Sequence, residues 1–194
     1  MGGPGRDRNE PPARRQNGGD RRETPVAPDV PAILRTLVEH QVAFVVIGGV
    51  AVAHHGHVRA TEDIDIVPEP SEENHRRLWD ALRELKAEPL SLGDFRADEL
   101  PAPFTLESLL NLGNRDLATE YGRVDILQYV VGKLETSEDY EALVERADAA
   151  HFDFGTVLFA GYEDLIDFKN LAGRDQDLTD IRALREARGD IGPE

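Results

Sequence analysis

The chain has 194 residues, a formal net charge of −16 and no cysteine. This length suits one globular domain with a short tail, and the lack of cysteine excludes disulfides and thiolate metal sites, which fits a cytoplasmic protein. The acidic balance argues against a broad basic footprint for long nucleic acid, and no apolar run in the sequence is long enough to span a bilayer.

The N-terminal segment, residues 1–25, is rich in glycine, proline and arginine and contains almost no apolar side chain. Such a segment cannot bury a hydrophobic core, so we expect a disordered tail. It also has no apolar h-region, which argues against a secretory signal. The folded domain is expected to comprise residues 26–194.

A strand, a turn and a short helix are predicted in the first third of the domain. Residues 44–47 form a fully apolar run, which is typical of a strand buried on both faces. Gly48 and Gly49 then allow a sharp turn and a close approach of the backbone to a ligand. A helix starting near Val50 would direct free N–H groups toward that turn, which suits phosphates. The histidines after this helix are not expected to bind a metal, because no second cluster completes a tetrahedral shell.

A second strand, predicted over residues 63–67, carries two acidic residues. Asp63 and Asp65 share one face because strand residues two apart point the same way, whereas Ile64 and Ile66 face the core. Adjacent carboxylates repel each other unless a cation joins them, and hard oxygen ligands suit Mg²⁺ that carries substrate phosphates. The alternative is a solvated strand with two surface acids.

A β-hairpin is predicted over residues 117–128, with its turn at Tyr121 and Gly122. In its second strand, Val124 and Ile126 share one face, and Asp125 lies on the other face. Asp125 is therefore a candidate third carboxylate, with an exposed hairpin acid as the alternative interpretation.

Two amphipathic helices joined at Gly173 are predicted for residues 163–184. Lys169 on the first helix could reach a triphosphate as a point charge. Asp177 and Asp180 on the second helix are candidates for ligand binding or for capping and salt bridges. A solvated helix face is the alternative for all of these side chains.

The complete set of elements predicts an α/β (α+β) fold, with a small mixed sheet, flanking helices and two C-terminal helices. Further helices are predicted over residues 31–40, 71–85 and 138–146, and a strand pair over residues 151–158. Residues 86–116 are rich in loop signals and could frame a substrate.

The order of these motifs resembles the nucleotidyltransferase (polymerase-beta-like) superfamily, whose signature is a G-G or G-S turn, a short helix and D-x-D on the next strand. The sequence is most similar to the minimal toxins of AbiEii and MenT type. Their first motif, GG-x-A-(x)n-R-x-[ST]-x-D-I-D, is matched by Gly48, Gly49, Ala51, Arg59, Thr61, Asp63, Ile64 and Asp65. Residues 124–126 resemble their second motif, K-x-D-I, although no lysine stands two residues before Asp125. Their third motif, K-x-x-A-x-R-x-x-D-x-x-D, is matched by Lys169, Arg174, Asp177 and Asp180.

The resemblance implies a minimal nucleotidyltransferase fold and an enzyme that transfers an NMP from ATP or another NTP to a hydroxyl acceptor. It implies Mg²⁺ as cofactor, with two ions bound by Asp63, Asp65 and Asp125, and Asp125 as general base. Lys169 would complete the catalytic set. The NTP would be bound by the residues Gly48, Gly49, Arg59, Thr61, Lys169, Arg174 and Asp177.

The same resemblance implies a toxin of a toxin–antitoxin pair, with tRNA as the acceptor that is modified and a cognate antitoxin as partner protein. It also makes Thr61 a candidate for regulatory phosphorylation or covering by that antitoxin, since a phosphate would add negative charge beside the carboxylates. No membrane association is implied.

Two other functions stay open at the level of sequence. An antibiotic nucleotidyltransferase of aminoglycoside or lincosamide type shares the G-G and D-x-D signature and would suit an acidic surface better. An inactive NTP-binding or partner-binding module with the same fold is the second alternative. The presence of all three carboxylates argues against inactivity, because a degenerate site is expected to lose carboxylates first.

Overall fold

A computed structural model describes residues 27–90, 104–111 and 113–190. The predicted tail, residues 1–25, and part of the predicted loop region lie outside the described residues. The described helices are α1 (Val30–Glu39), α2 (Gly48–His54), α3 (Glu72–Glu84), α4 (Leu106–Leu110), α5 (Ser137–Glu145), α6 (Tyr162–Ala172) and α7 (Asp175–Arg188). The described strands are β1 (Phe44–Ile47), β2 (Asp63–Pro68), β3 (Glu88–Pro89), β4 (Arg115–Thr119), β5 (Gly122–Ile126), β6 (Asp148–Phe152) and β7 (Gly155–Phe159).

The strands form one mixed sheet in the order β3-β4-β5-β2-β1-β7-β6. β2 runs parallel to β5 and β1 runs parallel to β7, and the other neighbouring strands are antiparallel. The β2–β5 register pairs Asp63 with Arg123 and Asp65 with Asp125. This pairing brings the predicted D-x-D strand directly beside the hairpin strand that carries the third carboxylate.

The two faces of the sheet have different roles. Ile64 and Ile66 of β2 are fully buried against one cluster, which includes Ile33 of α1 and Leu78 of α3. Burying such a side chain stabilises the fold by about 1.5–3 kcal/mol. The opposite face packs against α5 and α6, with Phe168 of α6 in the second cluster. Because side chains alternate along a strand, the acidic residues of β2 lie on this second face.

The predicted α/β fold is confirmed, including the mixed sheet and the two C-terminal helices. Gly173 ends α6 in the left-handed conformation (φ +63°), which explains the predicted break. Two details differ from the prediction. α2 begins at Gly48 rather than near Val50, because both glycines belong to its first turn, and residues 86–116, predicted to be rich in loops, contain β3 and α4. In the described part of the chain, none of the helices is long and apolar enough to cross a membrane.

Candidate active site

Gly48 joins β1 to α2 at a point where a side chain would not fit. Its φ of +63° is in the left-handed region that favours glycine, and a Cβ atom there would lie 1.8 Å from Oδ2 of Asp65. The carboxylate of Asp65 in turn accepts a hydrogen bond from the backbone N–H of Gly49. The glycine turn and the Asp65 carboxylate of β2 are therefore packed directly against each other.

Three carboxylates converge beside this turn. Asp63 and Asp65 occupy alternate positions of β2, and Asp125 is the direct neighbour of Asp65 on β5. Burial first, and then the charge of Asp63, raise the pKa of Asp65 to about 6. Burial, followed by the charges of Asp116, Asp65 and Asp63, raises the pKa of Asp125 to about 7. Both shifts indicate carboxylates that repel one another in a partly dehydrated place.

These carboxylates fit a divalent cation. The Oδ1 atom of Asp125 is buried and has no hydrogen-bond partner in the part of the chain described. A buried oxygen of this kind is costly unless a cation or donor joins it. Within the same residues, no three acidic, histidine or cysteine side chains form a closed metal-binding group. Mg²⁺ does not need one, because it binds through one or two carboxylates and retains water and substrate phosphate oxygens as ligands.

The opposite wall of the site is built from ion pairs that link α6, α7 and the segment before β2. Asp180 is fully buried and accepts hydrogen bonds from Arg59 Nε at 2.7 Å and Nη2 at 2.8 Å. Lys169 Nζ lies 2.7 Å from Asp180 Oδ2 and 3.0 Å from Asp177 Oδ1. Arg174 Nε completes the set at 2.8 Å from Asp177 Oδ2. This wall holds three cations and two anions, so it carries a net positive charge opposite the carboxylates.

The pKa of Asp180 reflects this arrangement. Burial alone would raise it, but hydrogen bonds from Arg59, Lys169 and Gln176 lower it to about 2. Asp180 is therefore ionised at every physiological pH. It holds Arg59 and Lys169 in place from a position outside the lining of the cleft.

The interpretation as a solvated helix face is wrong for Lys169, Asp177 and Asp180, whereas the Arg174 side chain is 77% exposed. Lys169 is only 4% exposed, and Asp177 and Asp180 are buried. The guanidinium of Arg59, predicted to bind the NTP, is paired with the carboxylate of Asp180. Of the two roles predicted for Asp180, ligand binding or salt bridges, the structure shows the salt bridges. The i, i+3 spacing of Asp177 and Asp180 on one helix face was the available signal.

Thr61 lies between the glycine turn and the acids. Its hydroxyl is 3.2 Å from Oδ1 of Asp63, to which it donates a hydrogen bond. A Cβ atom on Gly49 would lie 2.6 Å from Oγ1 of Thr61 and 3.2 Å from Nη2 of Arg59. Thr61 is thus close to Asp63, as the phosphorylation hypothesis requires, and a bend just before β2 brings it there.

All of these features line one cleft with a volume of about 550 Å³. Each predicted site residue contributes to its lining: Gly48, Gly49, Arg59, Thr61, Asp63, Asp65, Asp125, Lys169, Arg174 and Asp177. Sequence reasoning missed the apolar floor, which includes Leu127, Val130 and Phe168. The cleft therefore combines charged side chains, which suit the phosphates of a nucleotide, with an apolar surface, which suits its flat base.

A second cleft of about 640 Å³ lies between the start of α6 and the end of α7. It contains none of the predicted site residues, and its main cations, Arg146 and Arg188, are paired with acids. The histidines at the end of α2 make contacts within the fold: His54 stacks on Phe159 at 4.3 Å, and His55 Nε2 is 2.8 Å from the carbonyl oxygen of Ala160. We therefore assign the chemistry to the cleft that contains the three carboxylates.

Comparison with known proteins agrees with this geometry. Residues 29–186 match a family described as a nucleotidyltransferase of unknown function (DUF6036). The fold is similar to that of the lincosamide antibiotic adenylyltransferase LnuA bound to lincomycin, with a TM-score of 0.52, 16% identity, and coverage of 80% of this chain and 94% of that chain. It is also similar to ANT(2'')-Ia in complex with adenylyl-2''-tobramycin, with a TM-score of 0.50, 16% identity, and coverage of 81% and 86%. A comparison with curated proteins gave no significant match.

Proposed function

The chain belongs to this family of nucleotidyltransferases, and we propose that it transfers an NMP from an NTP to a hydroxyl acceptor with the help of Mg²⁺. The observation that carries the proposal is the convergence of Asp63, Asp65 and Asp125 on adjacent strands beside a glycine turn. In the reaction, the acceptor oxygen bonds to the α-phosphorus, the bond from that phosphorus to the bridging oxygen breaks, and pyrophosphate leaves.

Asp125 is the proposed general base for the acceptor hydroxyl. Its buried Oδ1 atom has no hydrogen-bond partner in the described residues and could accept the proton of a bound hydroxyl. It also lies on the β5 side of Asp65, away from the glycine turn, so the acceptor would approach from that side. The proton of the acceptor hydroxyl would pass to the carboxylate of Asp125.

The metal would be held by Asp63 and Asp65, with Asp125 as a further ligand and two ions in total. When bound, the ions would neutralise phosphate charge and orient the reacting oxygens. Asp63 and Asp65 fix where this charge lies, because β2 is packed between two neighbouring strands. The unpartnered Asp125 oxygen supports this role.

The triphosphate would lie between the glycine turn and the cationic wall. Gly48 and Gly49 allow its close approach, with Thr61 beside them, and Lys169 and Arg174 supply charge. The Arg59 guanidinium supports the same wall while paired with its buried aspartate. Fixed cations of this kind stabilise the charge of the transition state without reorganisation during the reaction.

We further propose that the acceptor is tRNA and that the enzyme is a toxin with a cognate antitoxin, in a cytoplasmic setting. Support comes from the AbiEii and MenT-type motifs, of which the first and third are matched and the second is matched without its lysine. Thr61 is the proposed site of regulation, because a phosphate there would lie beside Asp63 and compete with the NTP for Mg²⁺. The antibiotic acceptors of the two similar structures belong to those proteins, and the shared fold alone does not transfer them to this chain.

The acceptor is tested by incubating the purified protein with Mg²⁺, α-labelled NTPs and either total tRNA or a panel of aminoglycosides and lincosamides. We expect labelled tRNA and unlabelled antibiotics. Labelled antibiotics with unlabelled tRNA would transfer the assignment to antibiotic modification. Binding of NTP without transfer to either acceptor class would support an inactive module.

Regulation is tested by co-expressing the chain with the small reading frame beside its gene and measuring the intact mass. One added phosphate that maps to Thr61, together with loss of transfer, is the expected result. A Thr61→Glu variant with full activity would contradict the proposal. An inactive but unmodified protein would indicate that the partner covers the cleft.

A further inference from the structure

Arg123 lies next to the proposed metal ligands on β2 and β5, just outside the lining of the cleft. It pairs with Asp63 across the β2–β5 ladder and stands two residues before Asp125, so all three side chains lie on one face of the sheet. In the sheet order, β5 is separated from β1 by β2. Arg123 is therefore on the far side of the carboxylates from Gly48, where the triphosphate is proposed to bind.

The guanidinium of Arg123 has unused hydrogen-bond donors. Its Nε atom is buried and has no partner in the described residues. Its Nη1 and Nη2 atoms are each 4.0 Å from a carboxylate oxygen, of Glu62 and Asp125 respectively, which is too far for a hydrogen bond. The other cations around the cleft all form ion pairs of 3.0 Å or less: Arg59, Lys169 and Arg174.

A bound anion would stabilise the Arg123 guanidinium, because its N–H groups have no hydrogen-bond acceptor among the described residues. Glu62 and Asp125 flank it, but they neutralise it only through space, and metal ions bound by Asp63 and Asp125 would take up much of that negative charge. A phosphate group matches the planar fork of an arginine, to which it can bind with two parallel hydrogen bonds. A cationic acceptor would gain nothing from the side chain and would be repelled by it.

We infer that Arg123 binds a phosphate of the acceptor, so that the acceptor is a phosphate-bearing molecule such as a nucleic acid end rather than a cationic antibiotic. This inference rests on the proposed transfer reaction and specifies its acceptor. It also accounts for an acidic protein that acts on RNA, because the contact is one local cation beside the cleft instead of a broad basic surface.

A purely structural role for Arg123 would be to reduce the repulsion among the carboxylates. The two roles predict different losses when the side chain is neutralised. Loss of screening would alter the affinity for Mg²⁺, whereas loss of a phosphate contact would alter the affinity for RNA. Measurements of both affinities therefore separate the roles.

The test is equilibrium binding of fluorescently labelled tRNA in Mg²⁺, followed by anisotropy, for the wild type, Arg123→Gln, Arg123→Lys and Arg182→Gln. Arg182 is an exposed arginine on α7, away from the strands that carry the carboxylates, and serves as the control. We expect Arg123→Gln to weaken binding at least tenfold and Arg123→Lys to recover part of the loss. The dependence of log affinity on log salt should become shallower by about 0.7–0.9, the value for one lost phosphate contact.

Arg182→Gln is expected to bind tRNA within about twofold of the wild type, on the general rule that exposed single charges contribute little. Thermal shift by Mg²⁺ should be the same in Arg123→Gln and the wild type. Unchanged tRNA binding by Arg123→Gln, or a change in Mg²⁺ affinity as large as the change in tRNA affinity, would overturn the inference. Failure of the proposed reaction would be seen separately, as absence of NMP transfer by the wild type, because the binding assay does not depend on transfer.

Discussion

At the scale of single residues, Gly48 offers the most direct test of the site geometry. Gly48→Ala would place a methyl group 1.8 Å from Asp65 Oδ2 and would impose a φ of +63° on an L-residue. The strained backbone alone costs about 1–2 kcal/mol. We expect a loss of transfer activity of at least a hundredfold, measured by label incorporation, because the Asp65 carboxylate must move.

Gly56 supplies a control with the same kind of backbone and no clash. Its φ is +100°, and a Cβ atom there would meet nothing within 4 Å. Gly56→Ala should therefore lose stability but keep its activity per folded molecule. Equal loss of activity in the two variants would mean that backbone strain, rather than displacement of Asp65, is responsible.

The raised pKa values of Asp65 and Asp125 predict how the metal-free protein responds to pH. Both carboxyls have ordinary pKa values of 3.8, which rise to about 6 and about 7 in the fold. Between about pH 4 and 7 the native state therefore binds more protons than the unfolded chain, and the free energy of unfolding falls as pH rises. Above about pH 7 both carboxyls are ionised, and the decrease in the free energy of unfolding is complete.

Thermal melts in EDTA between pH 5 and pH 8 measure this effect. We expect the melting temperature to decrease with pH, to decrease less in Asp125→Asn, and to be restored by Mg²⁺ more strongly at pH 8 than at pH 5. A melting temperature that rises over this interval in the wild type but not in Asp125→Asn would be inconsistent with repelling carboxylates.

At the scale of secondary-structure elements, Asp180 connects α7 to α6 and to the segment before β2. It pairs with Lys169 and Arg59 from behind the cleft and does not line the cleft itself. Asp180→Asn should destabilise the fold by about 3 kcal/mol or more, because breaking a buried ion pair leaves unpaired charges. It should also raise the KM for NTP at least tenfold, because Lys169 and Arg59 lose their position.

Asp164 is a closely matched control for this element. It is also buried (2% exposed) and also pairs with two cations, Arg146 and Lys133, but it lines the other cleft. Asp164→Asn should lose comparable stability and keep the KM for NTP within about twofold. A similar rise of KM in both variants, measured well below their melting temperatures, would reduce the role of Asp180 to general stability.

The elements themselves were largely predictable from local patterns, and their long-range contacts were not. The buried run of β1, the alternation in β2 and the break at Gly173 depend on neighbouring residues, so the sequence shows them directly. Ser71 accepts a hydrogen bond from the backbone N–H of Asn74 and caps α3, which begins within one residue of its predicted start. The burial of Lys169 was not predictable, because its two partners come from a different helix and lie eight or more residues away.

At the scale of the whole molecule, the net charge of −16 and the proposed RNA acceptor are compatible because charge is organised locally. The cleft has an anionic wall of three carboxylates and a wall in which three cations face two anions. A triphosphate with Mg²⁺ complements both walls, since the metal matches the first and the phosphates match the second. The excess of acidic residues in the rest of the sequence would disfavour binding of nucleic acid outside the cleft.

A comparison of α-labelled and γ-labelled NTP as donors is the most direct test of NMP transfer by these carboxylates. The protein is incubated with Mg²⁺ and total tRNA, and labelled product and pyrophosphate are quantified for the wild type, Asp63→Ala and the exposed-surface control Asp80→Asn. We expect label to reach the acceptor only from the α-position, with one pyrophosphate released per transfer. Transfer activity should fall at least a thousandfold in Asp63→Ala, which corresponds to about 4 kcal/mol of transition-state stabilisation, and should be unchanged in Asp80→Asn. Transfer of the γ-label, or undiminished transfer by Asp63→Ala, would contradict the proposed mechanism.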